Sequence, residues 1–376
     1  MLKYIVTLFT VLLFFSQNAL SSAKKGRKVC FHRTSFQLVP NWSKDQHSKA
    51  LDAFLSACKC IMRRDGLKSI SSLTEIGQEA HKWQHACLEA SKITRRNRDR
   101  ESRLFFEREF IPYRISNENG SFIGRATGYY EVELFGSARR THIHKFPVYR
   151  APGNLNKLSG TNKLSRAAID NGSLSGGRLE IAWVSSKAKL FMAHLQGAAS
   201  IKLRNNAVIR VSYDGQNGFP HRDITHLFQK YGGKNLNSVL EMMMWIDRNP
   251  KIADQILHAN PSYIFFKISN GKSVVGGHGS ELIPGRSVAI NSNIYPYGMP
   301  IWVQSCTPKI GFSSPKSYEK LLIAQDSGGA IRDPLRIDIF FGSGRMAEEI
   351  ATRMNEKASY IVLFPRNVKI PDCYIS

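Results

Sequence analysis

Apolar residues recur at three- and four-residue spacing from about residue 45 to 91: Leu51, Phe54, Leu55, Cys58 and Met62, then Trp83, Cys87 and Leu88. That period predicts amphipathic helices. From about residue 104 the pattern changes to short alternating runs separated by Gly, Asn and Pro, as at 128–134, 144–149 and 208–213, which predicts strands. Helical periodicity returns over 224–249, stops before Pro250 and resumes over 251–258. Strands restart at 263–268 and continue to the C-terminus, interrupted by a last helix at 346–355. Helices bracketing clusters of short strands predict an α+β, mostly-β architecture with barrel-like sheets. At 376 residues, two domains is the natural count.

The N-terminus bears on location. Lys3 precedes an apolar run over residues 4–15, followed by polar residues and Ser21-Ser22-Ala23, the pattern of a secretory signal peptide over residues 1–23. The run is shorter than the roughly 20 residues of a spanning helix. The residues before Cys30 are Lys, Gly, Arg, Lys and Val, which do not suit a lipid-modified cysteine. The expectation is a soluble, exported chain without a lipid anchor.

Export changes how charge is read. The chain holds 53 Lys+Arg against 29 Asp+Glu, a formal +24, and loss of Lys3 with the signal leaves +23. In an exported protein such an excess suits cell wall, acidic polysaccharide or membrane surface better than nucleic acid. No basic run is interleaved with aromatics as in a base-stacking platform. The densest cluster, Thr94-Arg95-Arg96-Asn97-Arg98-Asp99-Arg100, reads as an exposed helical face. Among six cysteines, Cys58 and Cys87 lie in two helix-like segments and are the best candidate disulfide, with buried free thiols as the alternative. Cys60 would point elsewhere on its helix, and Cys30 could pair with Cys306 or Cys373. No C-x-x-C occurs, and His142 and His144 lack an acidic neighbour, so no metal and no cofactor is expected.

The candidate chemistry lies between Ala324 and Gly344. Alternation along residues 336–341 puts Ile337, Ile339 and Phe341 on one face and Asp338 with Phe340 on the other. A carboxyl beside aromatic surface is desolvated, which raises its pKa and suits a general acid. A salt bridge to Arg332 or Arg336 is the competing reading. Gly342-Ser343-Gly344 offers backbone N–H groups before a helix, or is a plain turn. Tyr129 and Tyr130 are adjacent on a strand and face opposite ways, so one could stack on a sugar ring.

A set of segments occurs in a fixed order: Thr127-Gly128-Tyr129-Tyr130-Glu131, Phe146-Pro147-Val148-Tyr149-Arg150, Ser165-Arg166-Ala167-Ala168-Ile169, Leu179-Glu180-Ile181-Ala182-Trp183 and His194-Leu195-Gln196-Gly197. Tyr213 to Gly218, Asn260 to Phe266, Pro284 to Ser287, and Asp326 to Ile331 with Asp338 complete it. Over nearly all of its mature length the chain resembles the membrane-bound lytic murein transglycosylase A family. The resemblance implies a double-psi β-barrel domain with N-terminal helices, residues 24–131 and 259–376, a β-rich domain inserted at 132–258, and a sugar groove between them. Three features depart from the family pattern. Val132 replaces a proline, Asn291 stands where the first of three aspartates is expected, and the lipid anchor is missing. Asparagine keeps shape and hydrogen bonding without charge, so a structural role survives there and an acid–base role does not.

By that resemblance the chain would be periplasmic and would cleave the β-1,4 bond between N-acetylmuramic acid and N-acetylglucosamine, leaving 1,6-anhydro ends, with Asp338 as the single acid and then base. Asp326, Gly328, Gly329, Thr127, Tyr129, Gln196 and Ser262 would contact or position the glycan strand. Partners implied are peptidoglycan strands and no nucleic acid, with a monomer expected and peripheral outer-membrane association left open. A hydrolase on the same fold and a non-catalytic wall-binding protein are the alternatives.

Overall fold

The computed structural model describes residues 28–94, 96–153, 163–232, 236, 239–269, 271, 273–310, 314–328 and 331–375. The expected signal segment and Gly329 therefore lie outside the described residues. In chain order the elements are β1 (Lys28–Arg33), α1 (His47–Ile61), α2 (Ala80–Ser91), α3 (Arg98–Glu109), β2 (Phe110–Asn117), β3 (Gly124–Ser137), β4 (Phe146–Tyr149), α4 (Arg166–Asp170), β5 (Glu180–Val184), α5 (Lys187–Gln196), β6 (Ala198–Leu203) and β7 (Val208–Gln216). They continue with α6 (Thr225–Lys230), α7 (Val239–Arg248), α8 (Pro250–Leu257), β8 (Ile264–Ser269), β9 (Ser287–Ile290), β10 (Pro300–Cys306), β11 (Ser317–Ser327), β12 (Arg336–Ser343), α9 (Arg345–Arg353), β13 (Asn355–Pro365) and β14 (Cys373–Ile375). The class is α+β.

The chain forms two compact units. Among the described residues a terminal unit comprises 28–129, 275–342 and 353–375, and a central unit comprises 130–274 and 343–352. The insert expected over 132–258 lies within the central unit, which also takes in β8 and most of α9.

In the terminal unit the strands run β13-β10-β11-β9-β12-β3, and the first half of β3 pairs back onto β13. Among the described residues these six strands therefore close into a barrel, which removes free sheet edges. Strands β2, β1 and β14 extend it outward from β13. Pairing of β9 with β11 is parallel, whereas β9 with β12 is antiparallel. Helices α1, α2 and α3 share a core with the barrel, in which Phe54, Phe105, Phe106, Phe110, Trp83 and Phe364 are fully buried. Phe54 meets Phe110 edge-on at 5.7 Å, a geometry that aligns ring edge with ring face. Disulfides join Cys58 to Cys87, linking α1 to α2, and Cys30 to Cys373, which are register partners on β1 and β14.

One buried ion pair ties these layers together. The Arg286 guanidinium, just before β9, donates to both carboxylate oxygens of Asp45, just before α1, at 2.6 and 2.7 Å. Asp45 also accepts from the Leu321 N–H at 2.9 Å, and Arg286 donates to the Leu321 carbonyl at 3.0 Å. Burial pushes the Asp45 carboxyl up, but the bidentate arginine outweighs it and the net shift is downward.

In the central unit the second half of β3 pairs with β6 in parallel and with β5, while β7 and β8 follow antiparallel. Its polar centre is the buried Arg166, which donates to the carbonyls of Asn260 and Ser262 at 3.1 and 2.5 Å and to His194 Nδ1 at 2.9 Å. Burial first, and then the Arg166 charge, holds the His194 pKa well below its usual value, so the ring is neutral. Helix α5 begins at Ser186, whose hydroxyl accepts from the Lys189 N–H at 2.9 Å, and ends at Gly197 with φ of 74°. These are a side-chain N-cap and a left-handed C-terminal stop. Helix α9 is held to β3 by the Tyr130 hydroxyl, which donates to Glu348 at 2.9 Å.

Replacing Arg286 with Met is expected to cost about 3–5 kcal/mol in chemical denaturation, because it leaves the Asp45 carboxylate buried and unpaired. Since the folded Asp45 pKa is depressed, its contribution is present above the unfolded value near 3.8 and disappears as pH falls through the folded value. Denaturation midpoints of the wild type should accordingly drop below about pH 4, and this part of the drop should be absent in Arg286→Met.

Candidate active site

Strand β12 places Ile337 and Ile339 in the core at 3% and 0% exposure and leaves Asp338 half-buried on the opposite face. Phe340 is also buried, because its ring packs on Tyr129 at a centroid distance of 5.2 Å. The strand thus has two packed faces around its carboxyl. Ala289 on β9 is the register partner of Asp338 on β12 and, across its other edge, of Asp326 on β11. Two strand spacings of about 4.8 Å put the aspartate backbones about 10 Å apart on either side of Ala289.

The two carboxyls have different surroundings. Asp326 accepts from the Gly277 N–H at 2.7 Å, the Ser327 N–H at 2.9 Å and the Tyr129 hydroxyl at 2.9 Å. Burial pushes its pKa up while these three donors oppose the rise, and the net shift is upward. Asp338 has no comparable set. Its Oδ1 is buried without a hydrogen-bond partner. The Thr127 hydroxyl lies beside the carboxyl and also donates to the Ile337 carbonyl at 3.2 Å, so its single proton is divided between two acceptors. Burial, opposed by Thr127 and by the charge of Arg336 and aided by that of Asp326, carries the Asp338 pKa to about 6. A carboxyl with that pKa gives and takes a proton near neutral pH.

Around this pair, Tyr297 donates to the Ser327 hydroxyl at 2.7 Å and stacks on His278 at 5.3 Å. Burial and the charge of Arg64 bring His278 down to about 4, so the ring is neutral. Gly277 is tightly enclosed. A Cβ there would stand 2.9 Å from the Tyr297 hydroxyl and 3.3 Å from Asp326 Oδ1. Neither Gly277, Tyr297 nor Ala289 was singled out by pattern. The pair Gly276-Gly277 ahead of a short apolar strand was the available signal.

The remaining sequence candidates divide between the units. Thr127, Tyr129, Gly328, Asp326 and Asp338 belong to the terminal unit. A Cβ on Gly328 would stand 3.3 Å from the Ile331 side chain, and the Ile331 N–H donates to the Gly328 carbonyl at 2.8 Å. Gln196 and Ser262 belong to the central unit. Gln196 accepts from the Tyr130 N–H at 3.2 Å, and the Ser262 carbonyl is bonded to Arg166. The segments around Arg166, His194 and Asn260 therefore meet in one buried network. Asn291 donates through Nδ2 to the Arg332 carbonyl at 2.9 Å, a bond a carboxylate cannot make, and this secures the turn leading into β12. His144 Nδ1 bonds the Thr141 hydroxyl at 3.0 Å. Among the described residues no group of three or more His, Cys, Asp or Glu side chains is placed to hold a metal ion, and no helix is long and apolar enough to cross a membrane.

Exchanging Asn291 for Asp replaces that donor with a carboxylate facing a carbonyl. The expected cost is about 1–3 kcal/mol in thermal or chemical denaturation, and a stability equal to wild type would show that the turn does not depend on the amide.

Residues 125–267 match the MltA specific insert domain and residues 286–364 match the 3D domain. The membrane-bound lytic murein transglycosylase A of Vibrio cholerae is 28% identical over 228 residues, covering 59% of this chain and 60% of that protein. The chain thus matches less than two thirds of the length of its curated relatives. Among solved structures, a membrane-bound lytic murein transglycosylase from Agrobacterium tumefaciens superposes with a TM-score of 0.76 at 28% identity, covering 90% of this chain and 98% of that one. MltA from Neisseria gonorrhoeae gives 0.77 at 25% identity, covering 94% and 98%. With both family domains, in order, on the barrel and insert that the strand pairing describes, the chain belongs to the membrane-bound lytic murein transglycosylase A family.

Proposed function

We propose that this protein is a peptidoglycan lytic transglycosylase, acting between N-acetylmuramic acid and N-acetylglucosamine, in which Asp338 moves both protons. The observation that carries this reading is the contrast between the two carboxyls. Asp326 is held by three donors, whereas Asp338 is half-buried with one buried, unbonded oxygen and a pKa of about 6. Protonated Asp338 gives its proton to the glycosidic oxygen as the C1–O bond breaks. The resulting carboxylate then takes the proton from the muramic C6 hydroxyl as that oxygen bonds to C1. Intramolecular attack supplies the effective concentration that hydrolases obtain from a second carboxylate and a bound water. Asp326, oriented by Tyr129 and Gly277, acts electrostatically on the oxocarbenium-like state. Gly328, Gly329, Thr127, Gln196 and Ser262 are assigned to positioning the strand. In this reading residues 1–23 direct export to the periplasm, the protein works as a monomer, and contact with the outer membrane is peripheral.

Asp338→Asn should lower release of anhydromuropeptides from sacculi by at least about a hundredfold, with the fold retained by circular dichroism. Unchanged turnover would remove Asp338 from the mechanism. Mass spectrometry of the products separates this reaction from hydrolysis, since a hydrolysed end is one water heavier than an anhydro end. Because the acid form must start the reaction, kcat/KM should fall about tenfold per pH unit above about 6. Tyr129→Phe removes a donor that favours the Asp326 carboxylate. It should lower kcat with little change in KM, and a change confined to KM would instead make Tyr129 a simple binding contact.

A further inference from the structure

The arginine-rich segment that reads as an exposed helical face in sequence is exposed at the start of α3, and it also borders two joined cavities in the terminal unit. One, of about 580 Å³, is lined by Arg33, Arg103 and Arg366 together with Trp42 and Glu107. The other, of about 630 Å³, shares Ser43 and Arg103 with it and continues past Arg98 and Arg100 at the start of α3. Five arginines thus face two carboxylates, Asp99 and Glu107, along one continuous depression.

Their commitments differ. Arg98 is paired with Asp52 at 2.6 Å, and Arg366 Nη2 donates to the Glu107 carbonyl at 2.9 Å. Asp99 accepts from the Ser48 N–H and hydroxyl at 2.9 and 2.8 Å, and so is turned to the start of α1. Arg33 and Arg100 are exposed, and Arg103 keeps a buried Nε without a hydrogen-bond partner, 3.8 Å from Glu107 Oε1. Glu107 accepts from the Trp42 indole N–H at 2.9 Å. Thr34, Ser35 and Gln37 line the same wall beside the half-buried Phe36.

We infer that this depression binds a short acidic peptide that also carries an amine. Guanidinium forks at Arg33, Arg103 and Arg100 match carboxylates. Glu107 offers a charge partner for an ammonium group, and the hydroxyl and amide side chains suit peptide groups. A polyphosphate would use the arginines but leave Glu107 repelling it. On the transglycosylase reading, the peptide of this description in the substrate is the murein stem, which carries carboxylates and a diamino acid. The depression would then hold the wall by its peptides, separately from the carboxyls that cut the glycan.

The test compares wild type with Arg33→Glu/Arg100→Glu, two exposed positions whose exchange should leave the melting temperature unchanged. Three probes are titrated at fixed ionic strength: a soluble disaccharide tetrapeptide, a peptide-free glycan oligomer and inorganic polyphosphate. The double variant should bind the disaccharide tetrapeptide about tenfold more weakly and cleave the peptide-free glycan at the wild-type rate. Equal muropeptide affinity in the two proteins overturns the proposal. So does wild type binding polyphosphate more tightly than the muropeptide, which would make the depression a phosphate site. Failure of wild type to cleave the peptide-free glycan counts against the transglycosylase reading alone, because the binding comparison does not depend on turnover.

Discussion

The parallel pairing of β9 with β11 is the constraint on which the site depends. Parallel strands need a long connection and gain slightly less per residue than antiparallel ones, so their register must be secured from outside. Arg286 does this at the first residue before β9. Its side chain grips Asp45 and the Leu321 carbonyl, and its own carbonyl accepts from the Ile323 N–H at 2.8 Å. With that end fixed, Ala289 falls opposite Asp326 on one side and Asp338 on the other. A slip of one residue would turn one of the carboxyls to the opposite face. The helical layer is therefore part of the active geometry through Asp45, although α1 holds none of the proposed chemistry.

Environment then sets the acidity of two identical side chains apart. Donors aimed at a carboxylate favour its charged form, and burial without donors favours the neutral form. Asp326 receives both influences and Asp338 mainly the second. The arrangement around Asp326 needs a glycine at 277, since the space for any side chain there is held by the Tyr297 hydroxyl and by Asp326 itself. Asn291 shows the complementary case. In its turn the useful property is an N–H donor, so an amide in place of a carboxylate keeps the turn into β12 closed while adding no third negative charge near Asp338.

Local pattern revealed the elements with a clean period and missed those whose signals conflict. Helices α1 and α2, α8 and α9 follow from their apolar spacing. Helix α5 was not anticipated, because Lys187 to Gln196 mixes apolar residues without a clear stripe, yet Ser186 and Gly197 mark its two ends. Asp338 was legible as a carboxyl in an apolar strand, and the order of the upstream motifs raised it above a structural salt bridge. Tyr129 could be seen only as one of two alternating tyrosines. Its bond to Asp326 spans 197 residues, and no local rule reports such a contact. Ala289 and Tyr297 were invisible for the same reason, since their importance comes from strand pairing and not from their chemistry. The choice between Cys306 and Cys373 as partner of Cys30 was likewise open until β1 and β14 were seen to pair.

The charge of the whole chain sharpens what sets the acidity of Asp338. A protein at +24 surrounds its carboxyls with a positive potential, which favours their ionised form. At physiological ionic strength that field decays over about 8 Å, so dispersed surface arginines contribute little at Asp338, while Arg336 on the same strand acts at close range. Even so, the carboxyl titrates near 6, above its ordinary value. Desolvation therefore exceeds the combined pull of near and distant cations. The packing on this face of the strand is local, with Phe340 buried against Tyr129. Acid strength at this site is consequently a property of the barrel interior. The basic surface can vary without retuning the residue proposed to cut.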